Sequence, residues 1–181
     1  MRVSGGRLRG RDLPMPSGGH VRPTPARVRE ALFSILGQDL GGWSALDACA
    51  GAGLLGVEAL SRGAGPVTLC EQDRAVHGHL RKLLAALGEP ELRLVRQDAR
   101  RLLAERPGGS TWDLVLLDPP YADDPEAWLR LAAPATARCL VLEHRWGPQL
   151  PDELDGLQLI RHRRYGDTGV AIYERAPAAA S

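Results

Sequence analysis

The stretch SALDACAGAGLLGVEALSRG, residues 44–63, decides the fold. A short apolar run ends at Asp47, a turn rich in small residues follows, and an apolar run of helical length closes at Gly63. Strand, tight turn and helix in that order form the first half of a βα unit. Downstream the same beat repeats. PVTLC (66–70) is a strand, and a helix follows over 73–87 with Val76, Leu80, Leu83, Leu84 and Leu87 on one face. LRLVR (92–96), a short helix around 101–105, the strongly apolar WDLVLL (112–117), a helix around 126–133 and RCLVLE (138–143) continue it. Apolar strands alternating with amphipathic helices predict an α/β protein, its parallel sheet covered on both faces through right-handed crossovers. LQLIRHRRY (157–165) and GVAIYER (169–175), separated by GDT, predict an antiparallel hairpin at the end of that sheet. Upstream, Thr24 as cap and Pro25 in the first turn predict a helix reaching Gly37, with Val28, Ala31, Leu32, Ile35 and Leu36 on one face. Residues 1–14 alternate apolar and basic positions around Gly5-Gly6 and Gly10, the pattern of a small hairpin. The expected boundaries are a basic hairpin arm over 1–24, the main domain over 25–175 and a frayed tail over 176–181.

Composition narrows the function classes. The 181 residues are enough for one domain, and 44% apolar with 25% charged residues excludes wholesale disorder. No run approaches the roughly 18 apolar residues of a membrane span, and the Arg-rich start lacks an apolar signal core, so a cytoplasmic protein is expected. Cys49, Cys70 and Cys139 are too scattered for a disulfide framework or a zinc site, and no metal is expected. The net charge of +1 hides a split: residues 1–30 carry +5 and the remainder −4. A GC-rich codon bias accounts for Arg outnumbering Lys, but not for acids avoiding the arm. The asymmetry points to a polyanionic partner.

Ligands of open α/β sheets lie beyond the carboxyl ends of the strands, so the informative residues are those that follow each strand. Gly51-Ala52-Gly53-Leu54-Leu55-Gly56 is a complete G-x-G-x-x-G between strand and helix. Its glycines would let backbone amides approach a ligand at the helix start. Glu71, twenty residues past Gly51, stands where a carboxylate can take two ribose hydroxyls. This pair suits a nicotinamide dinucleotide as well as S-adenosylmethionine, and a turn that merely packs helix on sheet is the bland alternative. Asp118-Pro119-Pro120-Tyr121 separates them. An exocyclic purine amine is a weak nucleophile because its lone pair is delocalised into the ring. An Asp side chain and the first Pro carbonyl can accept its two N–H bonds and hold the nitrogen near tetrahedral geometry. The prolines stiffen the turn and remove competing donors, and Tyr121 offers a stacking face.

With these motifs in place, the chain resembles the S-adenosylmethionine-dependent methyltransferases that modify amino groups of bases. More narrowly, it resembles the bacterial 16S rRNA guanine-N2 methyltransferases of the RsmD type. The likeness rests on VSGGRLRGRDLPMP (3–16), RPTPARVREALFSIL (22–36), LDACAGAGLLGVEALSRGA (46–64), EQDRAV (71–76), DPPY (118–121) and RRYGDTGVAIYER (163–175). It implies a Rossmann-like class I methyltransferase fold with a seven-stranded, mostly parallel sheet, a C-terminal antiparallel hairpin and a short N-terminal β-hairpin arm. The implied cofactor is S-adenosyl-L-methionine, held by Asp47, Ala50, Gly51, Ala52, Gly53, Glu71, Gln72, Asp98 and Ala99. Asp118, Pro119, Pro120 and Tyr121 would receive the target guanine for a direct in-line transfer. Arg7, Arg9, Arg11, Arg22, Arg27 and Arg29 would contact RNA. The implied partner is 16S rRNA in a partly or fully assembled small ribosomal subunit, met by a monomer. The chain departs from the pattern at Cys49, Ala52 and Ala26, and at His144 and Arg145, where a second acid is usual.

Three other readings stand beside this one. An adenine-amine methyltransferase on RNA or DNA would use the same DPPY, though a sequence-specific DNA enzyme needs a recognition domain for which there is no room. A nicotinamide oxidoreductase leaves DPPY and the basic arm idle. A non-catalytic rRNA-binding assembly factor would not need Glu71, Asp98 and Asp118 together.

Overall fold

The computed structural model describes residues 1–16, 24–106, 109 and 111–176, and the chain divides into two compact units, Met1–Ala99 and Arg100–Ser181. In the first unit, α1 (Ala26–Leu36) precedes three strands, β1 (Ala45–Asp47), β2 (Val67–Cys70) and β3 (Leu92–Val95). They pair in parallel in the order β3-β2-β1, with Ala45 opposite Val67 and Val67 opposite Leu92. The crossovers are α2 (Leu54–Ser61) and α3 (Arg74–Leu87). Every residue of α2 is buried, so its sequence shows little amphipathic bias. α3 is the opposite case, burying only Leu80, Leu83 and Leu87. Its ends follow local rules. The Asp73 carboxylate accepts from the Ala75 and Val76 amides, both at 2.8 Å, and Gly88 closes the helix in the left-handed conformation. The unit ends with the first residue of α4 (Ala99–Glu105).

The second unit holds the rest of α4, then β4 (Trp112–Leu117), α5 (Pro125–Ala132), β5 (Thr136–Arg145), β6 (Glu153–Leu154), β7 (Leu157–Tyr165) and β8 (Thr168–Arg175). β4 and β5 run parallel, and β8, β7 and β6 follow β5 in antiparallel order. Gly166 and Asp167 alone connect β7 to β8, with Gly166 at φ 65° at the corner. Among the described residues the strands thus number eight rather than the expected seven. The extra one, β6, is two residues long and has no periodicity to betray it.

The expected N-terminal hairpin is present only as a folded-back segment, with the Val3 amide donating to the Arg11 carbonyl at 3.0 Å and the Gly10 amide to the Val3 carbonyl at 2.9 Å. Among the described residues it carries one isolated antiparallel bridge, between Arg2 and Asp12, and no assigned strand. Residues 1–13 are also held by α2. The Ser4 amide donates to Glu58 Oε1 at 2.6 Å, the Leu8 amide to Ser61 Oγ at 2.9 Å and the Arg7 amide to the Ser61 carbonyl at 2.7 Å. Gly6, at φ 73°, lies so close to the Ser61 carbonyl that any side chain there would collide with backbone. The segment is therefore built into the first unit.

α1 is rotated from the expected face. It buries Val28, Arg29, Leu32 and Phe33, while Ile35 is exposed. The cause is Arg29, whose guanidinium is fully buried. It pairs with Glu58 Oε1 at 3.4 Å and donates to the carbonyls of Thr24 at 2.7 Å and Arg2 at 2.9 Å. Arg62, one turn after Glu58, pairs with the other carboxylate oxygen and lies over the Phe33 ring. α1 starts after Pro25, which stands at the N-cap position in place of the expected Thr24. Removing one member of a buried ion pair strands the other, at a cost of about 3–5 kcal/mol. Arg29→Ala is expected to lose that much stability in urea titration, and the midpoint shift checks it.

Candidate active site

Asp47 ends β1 and is almost wholly buried. Its Oδ2 accepts from the Gly56 amide at 2.9 Å, whereas its Oδ1 is buried without a hydrogen-bond partner. Burial pushes the carboxyl up to about 7, the Gly56 amide opposes that shift, and the charge of Glu71 adds to it. Between them runs the glycine turn. Gly51 and Gly53 have φ of 50° and 76°, a conformation that favours glycine. A side chain on Gly53 would press within 2.8 Å of Leu80, and one on Gly56 would strike Leu69.

The strand ends of the first unit are tied together here. The Ala50 amide donates to the Cys70 carbonyl at 2.9 Å, and the Gly51 amide to Glu71 Oε2 at 3.1 Å. Glu71 Oε1 accepts from the Asp73 amide at 2.8 Å, so the carboxylate is held between the glycine turn and the start of α3. Cys70 Sγ lies 3.3 Å from the Gln97 carbonyl, joining the end of β2 to the segment after β3. Burial pushes that thiol up to about 12, and the negative charges of Glu71, Asp47 and Asp98 reinforce it. Glu71, Asp47 and Asp98 therefore share one electrostatic neighbourhood. Ala50, Ala52 and Ala99 are buried, while Gln72 and Asp98 are exposed beside them. A buried carboxylate oxygen with spare acceptor capacity, beside a turn of glycine and alanine, suits a ligand carrying a cationic amino group.

DPPY follows β4 in the second unit. Asp118 and Tyr121 are half-buried, Pro119 is buried and Pro120 exposed. The loop closes on itself: the Asp123 amide donates to the Pro120 carbonyl at 2.9 Å, and Asp123 Oδ2 accepts from Arg100 and from the Trp128 indole. Sequence reasoning missed what orients Tyr121. Its hydroxyl lies 2.6 Å from Thr168 Oγ1, at the start of β8, and 3.2 Å from Glu143 Oε1 on β5. Burial raises the phenol above its ordinary value, the Thr168 contact opposes this, and Glu143 and Asp118 add to it. A cavity of about 100 Å³ adjoins the motif, lined by Pro119, Pro120, Tyr121, His144 and Arg145 among others.

The nominated arginines have diverse fates. Arg29 is withdrawn from RNA contact, because its side chain has no exposed surface to offer a phosphate. Arg7 is paired with Glu89 at 2.5 Å, and Arg11 donates to the Ala86 carbonyl at 2.9 Å. Arg9 and Arg27 are exposed, and Arg22 lies outside the described residues. A cationic groove unmarked by any motif is formed by Arg74, His77 and Arg81 of α3 with Arg96 after β3.

The family described as "Conserved hypothetical protein 95" matches this chain over residues 1–174. The chain belongs to this family. Over 121 residues it is 45% identical to the ribosomal RNA small subunit methyltransferase D of Escherichia coli, an alignment covering 67% of this chain and 60% of that protein. The chain thus spans less than two thirds of that relative's length. YlbH of Bacillus subtilis, by name a candidate rRNA methyltransferase, is 34% identical across 97% of this chain and 99% of its own length. Among solved structures, the Escherichia coli protein yhhF superposes with a TM-score of 0.83 at 36% identity, covering 97% of each chain. The fold of this family member is therefore the α/β methyltransferase fold, with a mixed sheet whose antiparallel strands lie at the C-terminal end.

Asp47 gives a test of the site's electrostatics. A carboxyl raised from 3.8 to about 7 by burial keeps a proton in the folded state that the unfolded chain has already released. Stability therefore falls as pH rises through that window and is lowest above it, by about 1.4 kcal/mol per pH unit where the two states differ by one proton. Asp47→Asn is expected to remove most of that slope, with the larger gain at pH 8 than at pH 5. Urea titrations of both proteins at the two pH values check it.

Proposed function

We propose that this protein transfers a methyl group from S-adenosylmethionine to the exocyclic N2 amine of a guanine in small-subunit rRNA. The observation that carries this reading is the pairing, in one family member, of a strand-end DPPY whose tyrosine is anchored by its hydroxyl with a buried Asp47 and glycine turn suited to a cationic amino-acid ligand. When bound, S-adenosylmethionine supplies an electrophilic methyl group on a sulfonium.

The residues of the chain do the rest. Asp47 Oδ1 and the Gly51–Gly53 turn receive the methionine part, with Ala50 and Ala52 keeping that wall small. Glu71 takes the ribose hydroxyls, and Gln72, Asp98 and Ala99 border the adenine. Asp118 and the Pro119 carbonyl accept the two N–H bonds of the guanine amine and hold its lone pair free of the ring. Pro120 offers no competing N–H donor. Tyr121 stacks on the base, its ring fixed by Thr168 and Glu143. Asp118 is also positioned to take the proton lost from the amine. A base must leave its stack to enter such a pocket, so the substrate is a nucleotide presented by a loop or by a small-subunit particle still open at that position. Arg9, Arg22 and Arg27 supply phosphate contacts, and the groove of Arg74, Arg81 and Arg96 extends them. Residues 25–175 act as the methyltransferase domain and the preceding arm as its basic flank, working as a monomer in the cytoplasm where ribosomes assemble.

Methylation of naked 16S rRNA, small-subunit particles and duplex DNA, each followed by mass mapping, tests the reading. Transfer to guanine in the particle is expected, and transfer to adenine or to duplex DNA would overturn it. Asp118→Ala is expected to lower single-turnover transfer by at least about 100-fold while leaving S-adenosylhomocysteine affinity within about twofold, because its partner is the reacting amine. Tyr121→Ala is expected to cost more activity than Tyr121→Phe, which keeps the ring and loses only its anchor. Equal losses in the two variants would refute a stacking role.

A further inference from the structure

His144, on β5, and His162, on β7, belong to strands that are not neighbours, since β8 lies between them. Their rings nevertheless meet, with Nε2 to Nε2 at 3.0 Å. Gly169 of β8 makes this possible. It pairs with His144 in register, and a side chain there would lie 2.6 Å from His144 Nε2. Burial lowers the pKa of both histidines and favours the neutral rings, and the contact then fixes their tautomers. His144 Nδ1 lies 2.8 Å from the Arg145 carbonyl and donates to it, so His144 Nε2 is the acceptor and His162 Nε2 the donor.

The histidine pair supports an exposed aromatic. The Trp146 indole packs on His162 with ring centroids 4.7 Å apart, and the Arg164 guanidinium lies 5.9 Å from the Trp146 ring. Each piece is held from the backbone. The Trp146 amide donates to the Asp167 carbonyl at 2.8 Å, and Arg164 Nε donates to the Gly166 carbonyl at 2.7 Å. Trp146 nonetheless keeps 36% of its surface exposed. His144 is buried and His162 half-buried beneath this partly open indole. Next to it, Arg145 and His144 line the cavity that also takes in Pro119, Pro120 and Tyr121. The surface is thus an indole with the Arg164 cation beside its ring, linked through His162 to His144, which lines the proposed base pocket.

We propose that Trp146, with Arg164 beside its ring and Arg145 in the adjoining cavity wall, is a stacking platform for an unpaired rRNA base flanking the target guanine. The inference rests on the rRNA methyltransferase reading above. The indole supplies the π-face, the arginines meet the phosphates on either side, and the His144–His162 pair sets the height of the ring. Stacking on an aromatic is tolerant of base identity, so the platform adds affinity and orientation without choosing the sequence.

The test uses the full chain, 16S rRNA in small-subunit particles, and a single-stranded 12-nucleotide RNA compared with an abasic strand of equal length. Trp146→Ala is expected to weaken particle and 12-mer binding about 5- to 100-fold, the range for one lost base stack. Its salt dependence should stay unchanged. Arg164→Ala should instead flatten that dependence by about 0.7 units. The 12-mer should quench intrinsic fluorescence in the wild type and not in Trp146→Phe, whereas the abasic strand should quench neither. Trp146→Phe should also retain most of the affinity, which separates loss of the ring from loss of fold. If the wild type methylates particles and Trp146→Ala binds and methylates as well as it does, the platform is wrong and the methyltransferase reading stands. If the wild type neither binds nor methylates any rRNA substrate, both fall.

Discussion

Glu58 is a carboxylate on a helix that has no exposed face, and its charge dictates much of the first unit. A lone buried anion of that kind would be intolerable, so both oxygens are matched: Arg29 on one side, Arg62 on the other, with the Ser4 amide as a further donor. Each partner comes from a different part of the chain. Arg29 brings in α1, Arg62 extends α2, and Ser4 draws in the N-terminal segment. The positions of α1 and of residues 1–13 follow from satisfying this one group. The glycine turn in turn starts the helix that carries it.

This constraint explains which features were legible in the sequence. α3 was readable from end to end, because Asp73, Gly88 and the leucine stripe act on neighbours within a few residues. The βα beat was readable for the same reason, and with it Asp47, Gly51, Gly53 and Glu71 as residues that meet beyond strand ends. Arg29 was misread because its partner lies 29 residues further along, and an arginine in a basic segment carries no mark of burial. The same difficulty hid the partners of Tyr121. Glu143 and Thr168 are 22 and 47 residues away, and no local rule links a DPPY tyrosine to the start of a hairpin strand. The rotation of α1 is the energetic counterpart: a buried guanidinium outranked Ile35 for the inner face.

The charge split of the sequence also takes a different form in three dimensions. Two arginines of the N-terminal segment are occupied by Glu89 and by the Ala86 carbonyl, and one is buried. Two of these charges, on Arg7 and Arg29, are therefore matched by acids from later in the chain, and further cationic surface lies on α3 and beside Trp146. Counting charges along a chain locates a tendency; the ion pairs decide where it reaches solvent.

The two-residue connection between β7 and β8 has a wider reach than its size suggests. Thr168 is the first residue after that corner, and its hydroxyl is what the Tyr121 phenol grips. Trp146 takes its backbone contact from Asp167, and Arg164 from Gly166. Insertion or deletion of a single residue in this corner would slide all three anchors at once, moving the tyrosine and the indole together. The hairpin tip thus works as a gauge block for the aromatic surfaces of the second unit, and a change of loop length there would be felt at both of them.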